Sequence, residues 1–348
     1  IERWVGAVGL GVCASGAEYI DTPAAAMLVG RFAPGSFQVF PVTDLTLAGA
    51  RDVLEAWLDH HEAMLLLAHG DPLADTDPAL VLAELERLMG GFIVGGMSSS
   101  RKDHVVIADQ AGTGGVGGAV FSGDVVAVTA LTQGCAPLGP VHVVTGAEDN
   151  ILMELDGRRA FDVFAADLKT MALARVGEDP KNADIREILT RDDAESLPDD
   201  LDRIFKGEGH IAFPVAGSDL GDYLVRNISG VDPENGWMAL PQAVQPGDHV
   251  MFVHRDDETV RTGLTRMLMG LRERILRERG HFTPQAAIYI SCVARAMAGF
   301  RDENLAPGGE MALIRSFLGD VPLAGFYANG EISNQRLYAH TGVLILFL

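Results

Sequence analysis

The residues best suited to hold a small ligand follow a predicted apolar strand at 125–131. They form a short loop in which a thiol and a side-chain amide stand beside bare backbone N–H groups, and two prolines with two glycines restrict the path of residues 134–140. Rigid loops of this kind commonly position ligands, although the same residues also suit a plain hairpin corner. The candidate binding residues of this loop are Gln133, Gly134, Cys135, Pro137 and Gly139.

A second candidate corner follows a predicted buried strand at 286–290. Cys292 and Arg295 come directly after it, and the carboxyl end of such a strand is where α/β sheets usually bind ligands. The Arg295 guanidinium could hold a carboxylate through two parallel hydrogen bonds, or it could form a surface salt bridge.

A third candidate is Arg226, which lies in an otherwise apolar predicted strand. A buried arginine either pairs with a buried carboxylate or faces a cleft. Glu331, which follows Gly330 in the last glycine turn of the chain, is its candidate partner.

Catalysis by a cysteine is an alternative use of these corners. A nucleophilic Cys135 or Cys292 would need a neighbouring base or cation to form the thiolate. The first loop offers only His142, on the strand that follows.

Composition excludes several classes of protein. The net charge of −21 repels nucleic acids and anionic membrane surfaces. The three cysteines are far apart and form no CxxC pair, which indicates a reducing compartment and predicts a cytoplasmic protein. No apolar run is long enough to span a bilayer, and no histidine spacing indicates a metal site.

A glycine-rich stretch at 111–118, AGTGGVGG, contains the letters of the GxGxxG nucleotide-binding motif. That motif requires a strand before it and a helix after it. The residues that follow here are β-like, so we interpret the stretch as a hairpin loop.

The chain alternates predicted strands and helices and contains an internal repeat. Residues 63–100 read as strand, amphipathic helix, strand and small-residue loop, and residues 286–332 repeat that order. Residues 4–17 resemble the back half of the same unit, so its front half would lie upstream of Ile1. The further expected elements are strands at 4–12 and 24–32 and helices at 47–60, 78–89, 258–279 and 310–318.

These elements predict an α/β fold. Two pseudo-repeated halves would have mixed β-sheets packed together and helices on the outside, in αββα-like layers. Residues 177–207 are polar and charged and are predicted to be a connector or inserted helices.

Several blocks of the sequence, in this order, resemble the FIST-domain family. QGCAPLGPVHVVTG (133–146), continued by ILMELDGRRAFDVF (151–164), is similar to the family's central signature. DYLVRNISGVDPENG (222–236), SCVAR (291–295) and GFYANGEI (325–332) with the closing HTGVLILFL are similar to its C-terminal half. The resemblance covers nearly the whole chain.

The resemblance implies a bacterial sensory protein that acts as an input for signal transduction. It implies a FIST_N-like domain at 1–176 whose opening strand and helix are missing, the connector at 177–207, and a FIST_C-like domain at 208–348. A small polar or carboxylate ligand, such as an amino acid, would bind between the two halves. A signalling protein such as a histidine kinase or a cyclic-nucleotide enzyme would be the partner.

The family provides motif positions and no catalytic set. The positions that carry over are Gln133, Gly134, Cys135, Pro137, Gly139, Arg226, Cys292, Arg295, Gly330 and Glu331. Some members are haem-based nitric oxide sensors, but the resemblance assigns no haem ligand to a histidine of this chain. We therefore expect no cofactor, with haem binding, a cysteine enzyme and a structural adaptor as alternatives.

Overall fold

Both ends of the chain contribute to one structural unit, and the middle of the chain builds another. The structure, a computed structural model, describes residues 1–175, 204, 209–215, 222–255, 257–299 and 309–348. Ile1–Gly134 and Asp257–Leu348 form what we call the terminal unit, and Cys135–Asp256 forms the central unit. Apart from Ile204, the polar stretch 177–207 lies outside the described residues. The division into domains at 1–176 and 208–348 stays a prediction.

The terminal unit contains two mixed six-stranded sheets. The first sheet has the order β4 (Phe37–Thr43), β9 (Val116–Ser122), β5 (Ala63–Gly70), β6 (Phe92–Met97), β22 (Glu331–Ser333) and β23 (Arg336–Tyr338). The second sheet has the order β10 (Ala127–Gln133), β24 (Thr341–Phe347), β20 (Ala286–Cys292), β21 (Leu323–Ala328), β2 (Gly11–Ala14) and β3 (Ala17–Ile20).

The two sheets repeat each other strand by strand. Each has one parallel pair at its centre, β5 with β6 and β20 with β21, and antiparallel pairs elsewhere. Each is also completed by a hairpin from elsewhere in the sequence: β22–β23 joins the first sheet, and β2–β3 joins the second. The internal repeat is therefore present in the fold, but the hairpin β2–β3 that completes the second sheet comes from residues 11–20 rather than 4–17.

The sheets and helices form the expected αββα layers. Alternate side chains of β5 serve two cores: Leu67 packs between the sheets with Ile290 and Val343, whereas Leu66 packs under the helices. Because both faces are covered, β5 is apolar from Ala63 to Ala68. The first sheet is covered by α1 (Arg51–Leu58) and α2 (Pro78–Met89), and the second by α4 (Asp257–Arg279), α5 (Val293–Gly299) and α6 (Gly309–Leu318).

Local sequence signals fix the best-predicted helix, α2. The Asp77 side chain accepts a hydrogen bond from the Ala79 N–H at 2.9 Å, and Pro78 occupies the first turn. Gly90 ends the helix in the left-handed conformation, with φ of 68°. The predicted bounds of 78–89 are confirmed, and α4 and α6 begin within one residue of their expected starts.

Three expectations for the N-terminal third can be compared directly with the structure. The single strand expected at 4–12 is wrong: β1 (Val5–Ala7) joins β7 (Val106–Ala108) and β8 (Gln110–Gly112) in a small third sheet, whereas β2 lies in the second sheet. The strand expected at 24–32 is absent, and Met27 is 70% exposed there. The hairpin loop expected at 111–118 is also wrong: the stretch runs from β8 to β9, which lie in different sheets and do not pair with each other.

The central unit is an antiparallel sheet covered by one described helix. Its core contains Leu152, Phe164, Leu168 and Phe252. The helix is α3 (Ala160–Arg175). The strand order is β16 (Tyr223–Asn227), β15 (Gly209–Pro214), β19 (His249–Arg255), β12 (His142–Glu148), β13 (Ile151–Leu155), β18 (Trp237–Ala239) and β17 (Gly230–Asp232), with β11 (Cys135–Pro137) paired to β19 and β14 (Arg158–Arg159) to β13.

Candidate functional site

A network of buried polar side chains lies where β20 and β21 end. Arg295, in the first turn of α5, donates from Nε to Oε1 of Glu310 at 2.8 Å, and a second guanidinium nitrogen contacts the same oxygen. The other carboxylate oxygen of Glu310 accepts hydrogen bonds from the Tyr289 hydroxyl at 3.1 Å and the Ser291 hydroxyl at 2.9 Å. The guanidinium therefore already holds a carboxylate supplied by the chain itself.

Burial and this pairing act in opposite directions on the Arg295 guanidinium. Burial alone would lower its pKa, but the Glu310 carboxylate beside it raises the pKa above its ordinary value. Arg295 is thus a fixed positive charge inside the protein rather than a surface salt bridge.

Glu331 is the second buried carboxyl group at this end of the second sheet. It is 0% exposed. Its Oε2 accepts hydrogen bonds from the Thr341 backbone N–H at 3.2 Å and the Thr341 hydroxyl at 2.6 Å. Its Oε1 accepts no hydrogen bond of ordinary geometry from the residues that the structure describes. Apart from the weak thiol donor of Cys292, the described residues therefore offer this side of the carboxyl group no hydrogen-bond donor.

The environment of Glu331 favours its neutral form. Burial raises the pKa of Glu331 to about 8, against the opposing effects of the Thr341 hydrogen bonds, the Arg295 charge and the Cys292 thiol. Burial also raises the pKa of the Cys292 thiol, and the charge of Glu331 raises it further. Both groups are therefore largely protonated at neutral pH.

Gln133 and Gly134, at the start of the predicted ligand loop, lie beside the same network of buried polar side chains. Gln133 pairs with Thr341 in the antiparallel register of β10 and β24. A Cβ atom on Gly134 would lie 2.7 Å from the His340 carbonyl oxygen and 3.1 Å from a guanidinium nitrogen of Arg295. Only glycine allows this approach. The terminal unit thus brings together six predicted site residues, which we call the β20–β21 cluster: Gln133, Gly134, Cys292, Arg295, Gly330 and Glu331.

The four other predicted site residues belong to the central unit. Cys135 is buried in β11, and its carbonyl oxygen accepts a hydrogen bond from the Tyr223 hydroxyl at 2.5 Å. Arg226 donates from Nε to the Gln242 side chain at 2.7 Å and from Nη1 to the Val225 carbonyl at 2.9 Å. The remaining two, Pro137 and Gly139, lie at and just beyond the end of β11.

Gly139 marks a site that the sequence did not reveal. A Cβ atom there would lie 2.2 Å from the carboxyl carbon of Asp167 on α3. The Asp167 carboxylate contacts Nε2 of His142 at 2.9 Å, and Nδ1 of the same ring contacts the Asp156 carboxylate at 2.6 Å. The Asp156–Gly157 turn was recognisable, but nothing in the sequence indicates that a turn, a strand and a helix converge on one imidazole.

Two carboxylates on one imidazole favour the doubly protonated ring. Burial lowers the pKa of His142, but hydrogen bonds and charges from Asp156 and Asp167 outweigh it, so the pKa is raised. With both ring nitrogens engaged, His142 links the three elements and has no nitrogen available for a ligand.

The arrangement does not favour a nucleophilic cysteine. Cys13 and Cys292 are buried, and burial raises the pKa of both thiols. Cys135 is also buried, with 1% exposure. Thiolates are the reactive form, and these surroundings disfavour it for Cys13 and Cys292.

Three buried histidines have hydrogen-bond partners in the structure. Nδ1 of His69 contacts the Gly96 carbonyl oxygen at 3.4 Å, and burial lowers the pKa of the ring to about 4. Nδ1 of His104 contacts the Ser98 carbonyl oxygen at 3.1 Å, and both nitrogens of His142 are engaged. Among the described residues, no group of three His, Cys, Asp or Glu side chains could hold a metal ion.

Comparison with known proteins assigns the chain to a family. Residues 2–158 match the FIST N domain, and residues 169–334 match the FIST C domain. The chain belongs to the FIST family, whose domains are associated with sensory functions in signal transduction.

The similar curated proteins are mycobacterial. An uncharacterized protein of Mycobacterium tuberculosis is 26% identical over 368 residues, which cover 99% of this chain and 83% of that protein. An uncharacterized protein of Mycobacterium bovis is 27% identical over 365 residues, covering 99% of this chain and 82% of that protein. In the part of the chain that the structure describes, no helix has both the length and the apolar character needed to cross a bilayer.

Proposed function

We propose that this chain binds a small polar ligand, such as an amino acid, and serves as the input part of a bacterial signalling system without turning the ligand over. The single observation that carries the proposal is the unsatisfied Oε1 of the buried Glu331. Buried polar atoms without partners are rare in folded proteins and often indicate a functional role.

The position of the β20–β21 cluster supports the proposal. It lies at the carboxyl ends of a parallel strand pair, where α/β sheets usually bind ligands. Glu331 begins β22, which belongs to the first sheet, whereas Cys292 ends β20 in the second sheet. A ligand held here would contact both pseudo-repeated halves of the terminal unit, and it would shift any equilibrium between arrangements that bind it unequally.

Further parts of the proposal concern residues and partners that these contacts do not address. Cys135, Pro137, Gly139 and Arg226 stay candidate ligand residues of the central unit. A histidine kinase or a cyclic-nucleotide enzyme stays the proposed signalling partner. The three buried cysteines, none of which forms a disulfide, support a reducing, cytoplasmic location.

A thermal-shift screen against amino acids and small carboxylic acids tests the proposal. A ligand present at a hundred times its Kd stabilises the folded protein by about 2.7 kcal/mol, which a melting curve detects readily. We expect at least one compound to raise the Tm, and Glu331→Gln to reduce that response. Glu62→Gln, the same change at an exposed position, is the matched control. A complete absence of shifts would contradict the proposal.

A further inference from the structure

The pseudo-repeat provides an internal comparison for the β20–β21 cluster. In the second sheet, Cys292 pairs with Ala328, and in the first sheet Gly70 pairs with Met97 at the equivalent place. On the other side of these strands, Cys292 stands opposite Thr341 on β24, and Gly70 pairs with Val116 on β9, so Thr341 corresponds to Val116.

The same comparison gives the counterpart of Glu331. Glu331 pairs with Gly96 on β6, one residue before the end of that strand. The corresponding hairpin strand, β2, pairs Val12 with Phe326, so Gly11 faces Tyr327, one residue before the end of β21. Gly11 therefore stands where the other half has Glu331.

At the Gly11 position, the ring of Tyr327 lies where a side chain would otherwise be. A Cβ atom on Gly11 would lie 2.9 Å from Cδ2 of Tyr327 and 2.9 Å from the Tyr19 carbonyl oxygen, so no side chain fits there. The end of the first sheet thus has Gly70, Val116 and Glu331 where the end of the second sheet has Cys292, Thr341 and Gly11. The repeat places a glycine at the position of Glu331, so this strand pairing does not itself require a carboxyl group there.

The charges around Glu331 indicate what is missing. The nearby cation, Arg295, is engaged by Glu310, and Thr341 satisfies only Oε2. A carboxylate ligand would add a buried negative charge without a free cation to balance it, because Arg295 is already paired with Glu310. A cationic N–H donor would instead satisfy Oε1 and stabilise the ionised form.

We propose that Glu331 recognises the ammonium group of a small primary amine through Oε1, and that Arg295 is not the ligand's carboxylate clamp. This inference rests on the proposed function and names the chemical class of its ligand. The amine would reach Glu331 past the Asn329–Gly330 turn, where Asn329 is exposed and Gly330 is half-buried.

Side chains of the second sheet pack closely on the strand that pairs with Glu331. A Cβ atom on Gly96, the neighbour of Glu331 across the strand pair, would lie 2.7 Å from Ile290 and 2.9 Å from Ala328. The probe is accordingly chosen to be small. Methylammonium is therefore the simplest probe, and tetramethylammonium, which has the same charge but no N–H donor, is its matched control.

The test uses the full chain in melting and calorimetric titrations at constant ionic strength. The probes are methylammonium, tetramethylammonium, alaninamide and N-acetylalanine, the last of which retains a carboxylate but no ammonium group. We expect binding of methylammonium and alaninamide only. Glu331→Gln should weaken it about tenfold to a hundredfold, as for loss of a charged hydrogen bond, whereas Glu62→Gln should leave it unchanged.

Proton release provides a second readout on the unaltered protein. Since the Glu331 carboxyl group is largely protonated at neutral pH, amine binding should release a proton, measured from the dependence of the calorimetric heat on buffer ionisation. Among the described residues, Arg295 and Cys292 act on Glu331, and neither is expected to titrate near neutrality.

The outcomes separate this inference from the proposed function. If N-acetylalanine or other carboxylates bind and the amines do not, the ammonium inference is wrong while ligand sensing stands. If tetramethylammonium binds as well as methylammonium, recognition through Oε1 is wrong. If the amines do not bind and no compound of the amino-acid screen raises the Tm, both proposals fail.

Discussion

Replacing Glu331 by Gln should change how stability depends on pH. The pKa of this carboxyl group is raised by burial from 4.5 to about 8 in the folded protein. Between these values the folded state keeps a proton that the unfolded state releases, so the free energy of unfolding of the parent protein falls as pH rises. Below pH 4.5 both states are protonated, and above pH 8 the decline ends.

The size of the effect follows from the same interval. At about 1.4 kcal/mol per pKa unit, the interval from 4.5 to about 8 corresponds to about 5 kcal/mol lost by the parent protein. The side-chain amide of glutamine cannot ionise, so the Glu331→Gln variant avoids this loss. Any constant effect of the amide on packing cancels when the two pH profiles are compared.

Urea unfolding at a series of pH values is the appropriate assay. Trp57, buried in the terminal unit, reports on that unit once the exposed Trp237 of the central unit is replaced by Phe in both proteins. The difference in unfolding free energy should move steadily in favour of Glu331→Gln as pH rises. Parallel profiles for the two proteins would refute the assignment of a raised pKa and, with it, the unsatisfied buried carboxyl group.

Three further perturbations test other parts of the structure. His142→Ala should lower the free energy of unfolding by about 3 kcal/mol, because it leaves the Asp167 carboxylate buried without its cation. Because the pKa of His142 is raised in the folded protein, the stabilisation by protonated His142 is complete below pH 6.5, its ordinary pKa, and is lost as pH rises through the folded-state pKa. If His142→Ala lowered the free energy of unfolding by the same amount at every pH in urea melts, this pairing would be contradicted. Gly139→Ala should cost about 1–3 kcal/mol by overpacking against Asp167, whereas Gly230→Ala, with open space around it, should be nearly neutral in the same melts. Iodoacetamide should label Cys292 slowly in the native protein and rapidly after unfolding, as measured by mass spectrometry. Fast labelling of the native protein would instead support the alternative of a cysteine-dependent enzyme.

The layered fold was predictable because its signals are local. The continuous apolar run of β5 reflects burial on both faces, and Asp77, Pro78 and Gly90 mark the ends of α2. The strand expected at 24–32 failed because this largely apolar stretch lacks both alternation and a partner strand, so composition alone suggested it.

The candidate site was predictable in part. Glycine-rich turns and strand ends pointed to Gln133, Gly134, Arg295 and Glu331, and strand pairing does bring them to one end of the second sheet. The pairing of Arg295 with Glu310 was not visible, because the partner comes from a separate helix and sequence spacing does not determine the distance between them. The His142 cluster was missed for the same reason.

The sheet that the β22–β23 hairpin joins also could not be predicted from the sequence pattern. Proximity along the chain favours pairing of β22 with β21, the strand before it, yet β22 pairs with β6 of the other sheet. Which sheet a three-residue strand joins is decided by long-range pairing, for which its own few side chains carry little information.

The most direct test of the account is an infrared difference spectrum of the Glu331 carboxyl group. At neutral pH we predict a band of a protonated carboxylic acid that is absent from Glu331→Gln and unchanged in Glu62→Gln. Addition of methylammonium should convert that band into carboxylate absorption, while tetramethylammonium should not. The claim that this buried acid binds a cationic ligand would be contradicted if the parent protein lacked the protonated band. It would also be contradicted if methylammonium left that band unchanged.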